Sequence, residues 1–519
     1  MSNHFVISTD PRVDIKSDND LTTVIDKGGQ RVSYSRNAST NYGQDPTRLS
    51  YASWSINPPS NQTIISREIN ITHYIEVTAD VPFVLGTYDC LRQFPIASLT
   101  DSINLKVNGS AQATKRCADL VHAEMNFYNE PECRRRAFMA PAYADQFALL
   151  EQGDGFNRNP AVFQGENVEE PSRGSLIPVA ILNGGRTLRY KVIEPVFISP
   201  LLDGCGSPEQ GMVNVNEIYL QLYFKSLQDR VMTCMPRPVA AQPNVANVTV
   251  GYYSAPELTL VYITPDMMSM IPAVQTLGYI EPDFHRKTGL QPFASDTSRT
   301  VQSDTFRIGQ IPKMVMAWLP RSEGNNGFNK PDSYLSIEGV KVQWNNENSL
   351  LTMASAHDLY QISRRNGLNC SYHTWLQRGA PLMLEMGKDV GLPDGLAPGV
   401  VGSFTLRVEV IVRNKDNLEN NAPCDLCVAL YNQGTFVIAQ NTGRISLGVS
   451  SPSMVLAAER ADSLEHGEAP QDKMHGGSLL NKLHAIIPKK KRHMAMSAMA
   501  PPPVAKQEPR RIGGQGLRR

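Results

Sequence analysis

The 519-residue chain carries 50 Lys/Arg and 50 Asp/Glu, is 41% apolar, and contains 36 Pro and 37 Gly. That length excludes one small core and predicts two or three domains, or two large β units; no apolar run reaches the ~18 residues of a membrane-spanning helix. The zero net charge hides a split: residues 481–519 hold ten Lys/Arg and one acid, while the 480 residues before them hold 40 and 49. A mildly acidic body is thus followed by a basic, Pro-rich tail.

Met1-Ser2-Asn3-His4-Phe5 lacks a basic segment followed by an apolar one, so no secretory signal is expected. Residues 1–60 are rich in Ser, Asn, Asp and Thr and are expected to form a polar N-terminal arm. From about Thr63 the dominant pattern is strand alternation. Ile71 to Val77 opens it, and Ile103, Leu105 and Val107 alternate with polar residues up to Asn108-Gly109, a hairpin-type turn. Residues 114–128 place Val121, Met125 and Tyr128 at helical spacing. Asn183-Gly184-Gly185-Arg186 precedes a strand and is expected to be a turn rather than a phosphate cradle.

Ile218, Leu220, Leu222 and Phe224 alternate strongly. A Pro- and Ala-rich linker is expected over 236–249, closing a first β domain at 61–235 and opening a second at 250–450. In the second domain Leu258–Ile263 and Met314–Leu319 are compact apolar runs. Val340 and Val342 alternate, and Phe404 to Val412 gives the cleanest period of two. A helix is expected over 349–366, with Asn366-Gly367 as its stop. Each half therefore runs strand, helix, irregular stretch, strong strand: a duplication of pattern, not of sequence. Many strands joined by long Pro/Gly-rich connections predict an all-β chain of two sandwiches.

Chemistry-bearing motifs are sparse. The eight cysteines (Cys90, Cys117, Cys133, Cys205, Cys234, Cys370, Cys424, Cys427) are too scattered for a disulfide scaffold, and reduced thiols are expected. Cys424-Asp425-Leu426-Cys427 has no second pair to complete a zinc site; two cysteines at the start of a buried strand is the expected reading. His357-Asp358, the Glu169-Glu170 pair and the Cys133-Arg134-Arg135-Arg136 cluster are read as ordinary polar surface. No HExxH, GxSxG or phosphate loop occurs. The expectation is no enzyme, no cofactor and no metal.

The tail, 451–519, is the exception. Leu479, Leu480, Leu483, Ile486 and Ile487 have the spacing of a short amphipathic helix, suited to a neighbouring subunit, a membrane surface or local collapse. Pro488 then leads into Lys489, Lys490, Lys491 and Arg492, followed by Arg510, Arg511, Arg518 and Arg519. This basic set fits a nuclear-import peptide, a phosphate-neutralising nucleic-acid contact, or a solvating tail.

Several segments resemble viral major capsid proteins of the double jelly-roll type. They are Leu91-Arg92-Gln93-Phe94-Pro95-Ile96, Ile103 to Asn108, Phe127-Tyr128-Asn129, Glu194 to Pro200, Val215 to Phe224, Gln310-Ile311-Pro312-Lys313, Leu359 to Ser363 and Asn366-Gly367. The resemblance covers roughly 70–415 and rests on order and flavour. It implies two eight-stranded jelly rolls, three copies per pseudo-hexagonal capsomer, an icosahedral shell around DNA, and assembly in the host nucleus or cytoplasm. A single jelly roll with a projecting domain, or a non-viral β-sandwich binding protein, gives much of the same pattern. A metal-dependent jelly-roll enzyme needs a His/Glu cluster that the sequence does not display.

Overall fold

Alternating apolar residues build four main sheets. The computed structural model describes residues 5–8, 23–26, 31–60, 63–85, 88–92, 94–115, 178–201, 211–225, 228–234, 237, 243–264, 271–322, 327–329, 334–345, 347–368, 371–377, 379–414, 423–439 and 442–457. The first half contributes β1 (Arg31–Ala38), β2 (Tyr51–Ile56), β3 (Asn70–Ala79), β4 (Thr100–Val107), β5 (Ser110–Lys115), β6 (Thr187–Pro195), β7 (Ile218–Phe224), β8 (Val248–Tyr252) and β9 (Glu257–Thr264). One sheet runs β5–β4–β7–β2 and the other β6–β3–β9–β1, with β8 also on β3.

The second half contributes β10 (Val274–Lys287), β11 (Ser298–Gln302), β12 (Phe306–Gln310), β13 (Met314–Trp318), β14 (Ser336–Trp344) and β15 (Glu347–Leu350). After these come α1 (Ala356–Arg365), α2 (Tyr372–Gln377), β16 (Leu382–Glu385), β17 (Val401–Arg413), β18 (Leu426–Ala439) and β19 (Thr442–Leu447). Its sheets run β10–β18–β13–β16, with β19 on β18, and β11–β17–β14–β15, with β12 on β17. Letter the strands of each half B to I in chain order, taking β11 and β12 together as C and β9 as I of the first half. Both halves then give the sheets B–I–D–G and C–H–E–F. The chain is a double jelly roll, and each roll packs two antiparallel sheets face to face.

Alternation decides which face is buried. In β7, Ile218, Leu220, Leu222 and Phe224 are buried, while Tyr219, Gln221 and Tyr223 face outward. Leu220 lies between Trp54 of β2 and Leu105 of β4 in register, and all three enter the same core. In β17 the same period buries Phe404, Leu406, Val408, Val410 and Val412. Each such side chain contributes about 1.5–3 kcal/mol of apolar burial.

Strand pairing corrects three expected boundaries. The polar arm does not extend to residue 60: β1 pairs with β9 along its whole length and β2 pairs with β7. β1 is an edge strand with little burial on either face, so it carries no apolar signature. The expected linker at 236–249 ends in β8, which pairs with β3. The apolar run at 258–263 belongs to the first roll, because strand I must return between B and D to close that sheet.

The helix expected over 349–366 is shorter. Glu347–Leu350 is a strand, and Leu351 has a left-handed φ of 63° that interrupts any helix. Ser355 then caps α1, accepting the Asp358 N–H, while the Asp358 carboxylate accepts the Ser355 N–H at 2.9 Å. The stop holds: Gly367 follows Asn366 with φ 115°. Asn108-Gly109 turns β4 into β5 with both φ values positive, and Asn183–Gly185 forms the turn into β6. The expected helices at 114–128 and 479–487 lie outside the described residues, apart from Thr114 and Lys115, which end β5.

Candidate assembly site

A protein made of two rolls needs a seam, and here polar side chains build it. Asn108 sits in the left-handed region, φ 48°, at the turn between strands E and F of the first roll. Its Nδ2 donates to the Asn214 carbonyl at 2.7 Å, and its Oδ1 accepts the Asn216 N–H at 2.7 Å. Its own carbonyl accepts the N–H of Gly443, from the second roll, at 3.2 Å. A Cβ on Gly443 would lie 2.6 Å from the Val107 carbonyl oxygen, so only glycine permits this approach.

Two further amides cross the seam. Asn214 Nδ2 donates to the Pro272 carbonyl at 2.9 Å. Buried Gln275 of β10 accepts the Val213 N–H at 2.9 Å and donates to the Gly211 carbonyl at 2.7 Å. An amide side chain suits such positions because it satisfies one donor and one acceptor at once. Around these bonds Leu277 and Tyr279 of β10, with Phe436 and Ile438 of β18, enter the apolar core of the first roll. The B–I end of roll two is thus seated on the E–F end of roll one.

Two of the segments that carry the resemblance, 91–96 and 194–200, meet inside roll one. Glu194, fully buried, accepts the N–H groups of Ile96 at 3.1 Å and Ala97 at 2.7 Å. Phe94 and Phe197 pack edge to face with centroids 5.8 Å apart. Arg92 donates to the Met232 carbonyl at 3.2 Å and to the Gly327 carbonyl at 2.9 Å. Burial pushes the Glu194 carboxyl up to about 7, against those two N–H bonds. Burial also pushes His73 down to about 3, so its ring is neutral, and Nδ1 lies 2.9 Å from the Tyr252 hydroxyl.

Two buried ion pairs brace loops. Arg237 meets Asp89 at 2.6 Å with both side chains enclosed, and Asp89 also accepts the Val84 N–H at 2.7 Å. Burial raises the Asp89 carboxyl, and the guanidinium and amide oppose that rise. Arg286 meets Asp425 at 2.9 Å, and Asp425 also accepts the Ser322 hydroxyl at 2.8 Å.

Asp425 lies inside the CxxC, which is therefore a structural corner. Cys424 and Cys427 are buried, and burial pushes the Cys424 thiol up to about 12, away from a metal-binding thiolate. Cys90 and Cys234 are also buried; Cys117, Cys133, Cys205 and Cys370 lie outside the described residues. Among the described residues no three His, Cys, Asp or Glu side chains gather to hold a metal ion. No described helix is long and apolar enough to cross a membrane. His357 and Asp358 lie in the first turn of α1. The tail residues Lys489, Lys490, Lys491, Arg492, Arg510, Arg511, Arg518 and Arg519 lie outside the described residues, as do the 133–136 cluster and Glu169-Glu170.

The sequence reading missed the seam, although one signal for it is present. Asn345 ends strand E of roll two as Asn108 ends strand E of roll one. Both residues are left-handed, with φ of 47° and 48°. Each donates its N–H to a strand-H segment of its own roll, Thr405 at 2.9 Å and Glu217 at 3.1 Å. Each side-chain oxygen accepts an N–H back from that segment, Thr405 at 2.9 Å and Asn216 at 2.7 Å. The matching text is Ile103-x-Leu105-x-Val107-Asn108 and Val340-x-Val342-x-Trp344-Asn345. The two rolls are thus duplicated down to a single turn residue.

The fold and seam define a double jelly-roll protein, and known proteins specify its class. The family described as "Sputnik virophage major capsid protein 1st domain" matches residues 4–176, and "Major capsid protein V20 C-terminal domain" matches 286–381 and 374–434. The V20 capsid protein of Sputnik virophage is 26% identical over 528 residues, covering 92% of this chain and 85% of that protein. A chain in the 3.5 Å cryo-EM structure of the Sputnik virophage superposes with a TM-score of 0.75 at 26% identity, covering 93% of this chain and 98% of that one. The mavirus major capsid protein shares the fold, with a TM-score of 0.64 at 13% identity over 85% of this chain and 93% of that one. The chain is a viral major capsid protein of the double jelly-roll type. It is a structural protein of the virion shell, not an enzyme.

Proposed function

We propose that three copies of this chain form a pseudo-hexagonal capsomer, and that capsomers tile an icosahedral shell around the genome. The observation that carries this reading is the duplication itself. Two rolls of one strand order, 31–264 and 271–450, are joined end to side through Asn108, Asn214 and Gln275. One chain then supplies two similar lobes, and a head-to-tail ring of three chains presents six. The amides that fix the seam give it one register, as a repeating shell unit requires.

The basic set from Lys489 to Arg519 is assigned to the genome or to an import receptor of the host, with assembly in the nucleus or the cytoplasm. Its charge supports a polyanion or an acidic groove as partner. The test of the capsomer is solution mass. Light scattering on the purified chain is expected to give three times the 57.3 kDa monomer. A monomer at every salt concentration contradicts it.

A further inference from the structure

We propose that the edge strand β1 of one copy docks on the E–F end of the second roll of another copy, repeating between chains the seam found within the chain. The inference rests on the capsomer reading and names its contact surface.

Within the chain, the B–I end of roll two is buried on the E–F end of roll one. The buried residues on one side are Gln275, Leu277 and Tyr279 of strand B. On the other side, the Val213 N–H is held by Gln275, while its side chain packs with Ile64, Val261 and Ile263 of its own roll. The same two surfaces exist once more, and each keeps apolar side chains exposed. Strand B of roll one exposes Val32 at 39% and Tyr34 at 74%, paired to Ile263 and Val261 of strand I. On roll two, Thr405 holds Asn345 as Glu217 holds Asn108, so Val401 stands four residues before Thr405 as Val213 stands four before Glu217. Val401 is 55% exposed, and Leu447 and Val449 beside it are also exposed.

A surface that is covered in one roll and apolar but open in its counterpart asks for a second copy of the covering element. That element is available on every chain as β1, where Val32 and Tyr34 are exposed although Ile263 and Val261 beside them are buried. The contact is heterologous: one copy's strand meets another copy's turn, so each chain uses both surfaces, and a closed ring leaves neither bare.

The test uses full-length chains. Val32→Glu with Tyr34→Glu breaks the strand surface, and Val401→Glu breaks the turn surface. All three residues are exposed in the monomer, so the fold should persist, as a circular dichroism spectrum like the wild type's and a cooperative melt would show. Each variant alone is expected to run as a 57.3 kDa monomer. An equimolar mixture of the two is expected to form a 1:1 dimer, because one intact strand meets one intact turn. A persistent trimer of the strand variant, or a mixture of folded variants that stays monomeric, overturns the proposal while leaving a wild-type trimer standing. If either variant fails to fold, amide exchange on the wild-type chain decides. Slower exchange at 31–34 and 399–403 in the trimer than in the diluted monomer is expected. Equal rates overturn the proposal, as they would if another part of the same chain covered the strand. A wild-type chain that never trimerises overturns the capsomer reading instead.

Discussion

The Glu194 carboxylate accepts the backbone N–H of Ala97 at 2.7 Å inside a fully enclosed core, and so ties the start of the first jelly roll's E strand to the end of its G strand. Its partners are neutral amides, so burial holds its carboxyl near 7, above the ordinary 4.5. A raised carboxyl stabilises the fold below the unfolded value and loses that contribution as pH climbs through about 7. His73, lowered to about 3, acts the other way: its contribution is present above 6.5 and is lost as pH falls toward 3.

The two effects oppose each other between about 4.5 and 6.5, so the wild-type chain alone does not isolate either one. Glu194→Gln does. Relative to wild type, that variant should gain up to about 3 kcal/mol between pH 5 and pH 8. Urea midpoints of both chains at the two pH values measure it. A pH-independent difference would mean that the carboxyl has one charge state throughout.

Asn108 and Asn345 hold equivalent turns, yet only Asn108 lies in the seam between rolls. Asn108→Ala leaves several amide and carbonyl groups unpaired and puts a Cβ-bearing residue without a polar side chain at φ 48°. It should cost about 2–4 kcal/mol. Scanning calorimetry should resolve a second transition in Asn108→Ala that is absent from wild type and from Asn345→Ala. Identical profiles for the two variants would mean that the seam does not couple the rolls.

The Arg237–Asp89 pair is fully enclosed. Arg237→Met strands a buried carboxylate and should destabilise by about 3–5 kcal/mol. Adding Asp89→Leu should recover much of that loss, because an apolar pair carries no desolvation cost. Denaturant unfolding of the two single variants and the double variant forms the cycle. A single-variant cost under about 1 kcal/mol would show the pair to be solvated.

Deleting residues 481–519 should leave the solution mass of the capsomer, tail apart, unchanged. The truncated chain should lose salt-dependent DNA binding, nuclear entry, or both, because it loses ten of the chain's 50 Lys/Arg and only one acid. Filter binding across a salt series and imaging of the tagged chain measure the two roles. Unchanged behaviour in both assays removes both assignments.

The sequence spoke most clearly where one face of a strand is buried and the other is wet. β7 and β17 were legible for that reason, as were the turns at Asn108-Gly109 and Asn366-Gly367, which require positive φ. β1 lacks that pattern and looks like part of a polar arm, because its side chains are largely exposed on both faces. β9 falls by chain order in the second roll, because order alone does not say that strand I returns to the first. The seam was invisible for another reason: Gln275, Asn214 and Asn108 act through long-range amide bonds, and an isolated Asn or Gln in a sequence reads as surface. Only the paired placement of Asn108 and Asn345 after three alternating apolar residues hinted at it. The candidate site residues, all in the basic tail, lie outside the described residues.

The most direct test of the central claim is an electron-microscopic image average of the purified capsomer, masked by nothing but its own symmetry. Three chains with quasi-equivalent rolls predict a ring of six similar lobes in pseudo-hexagonal outline. A three-lobed particle, with one roll of each chain at the ring and the other projecting from it, would contradict the account.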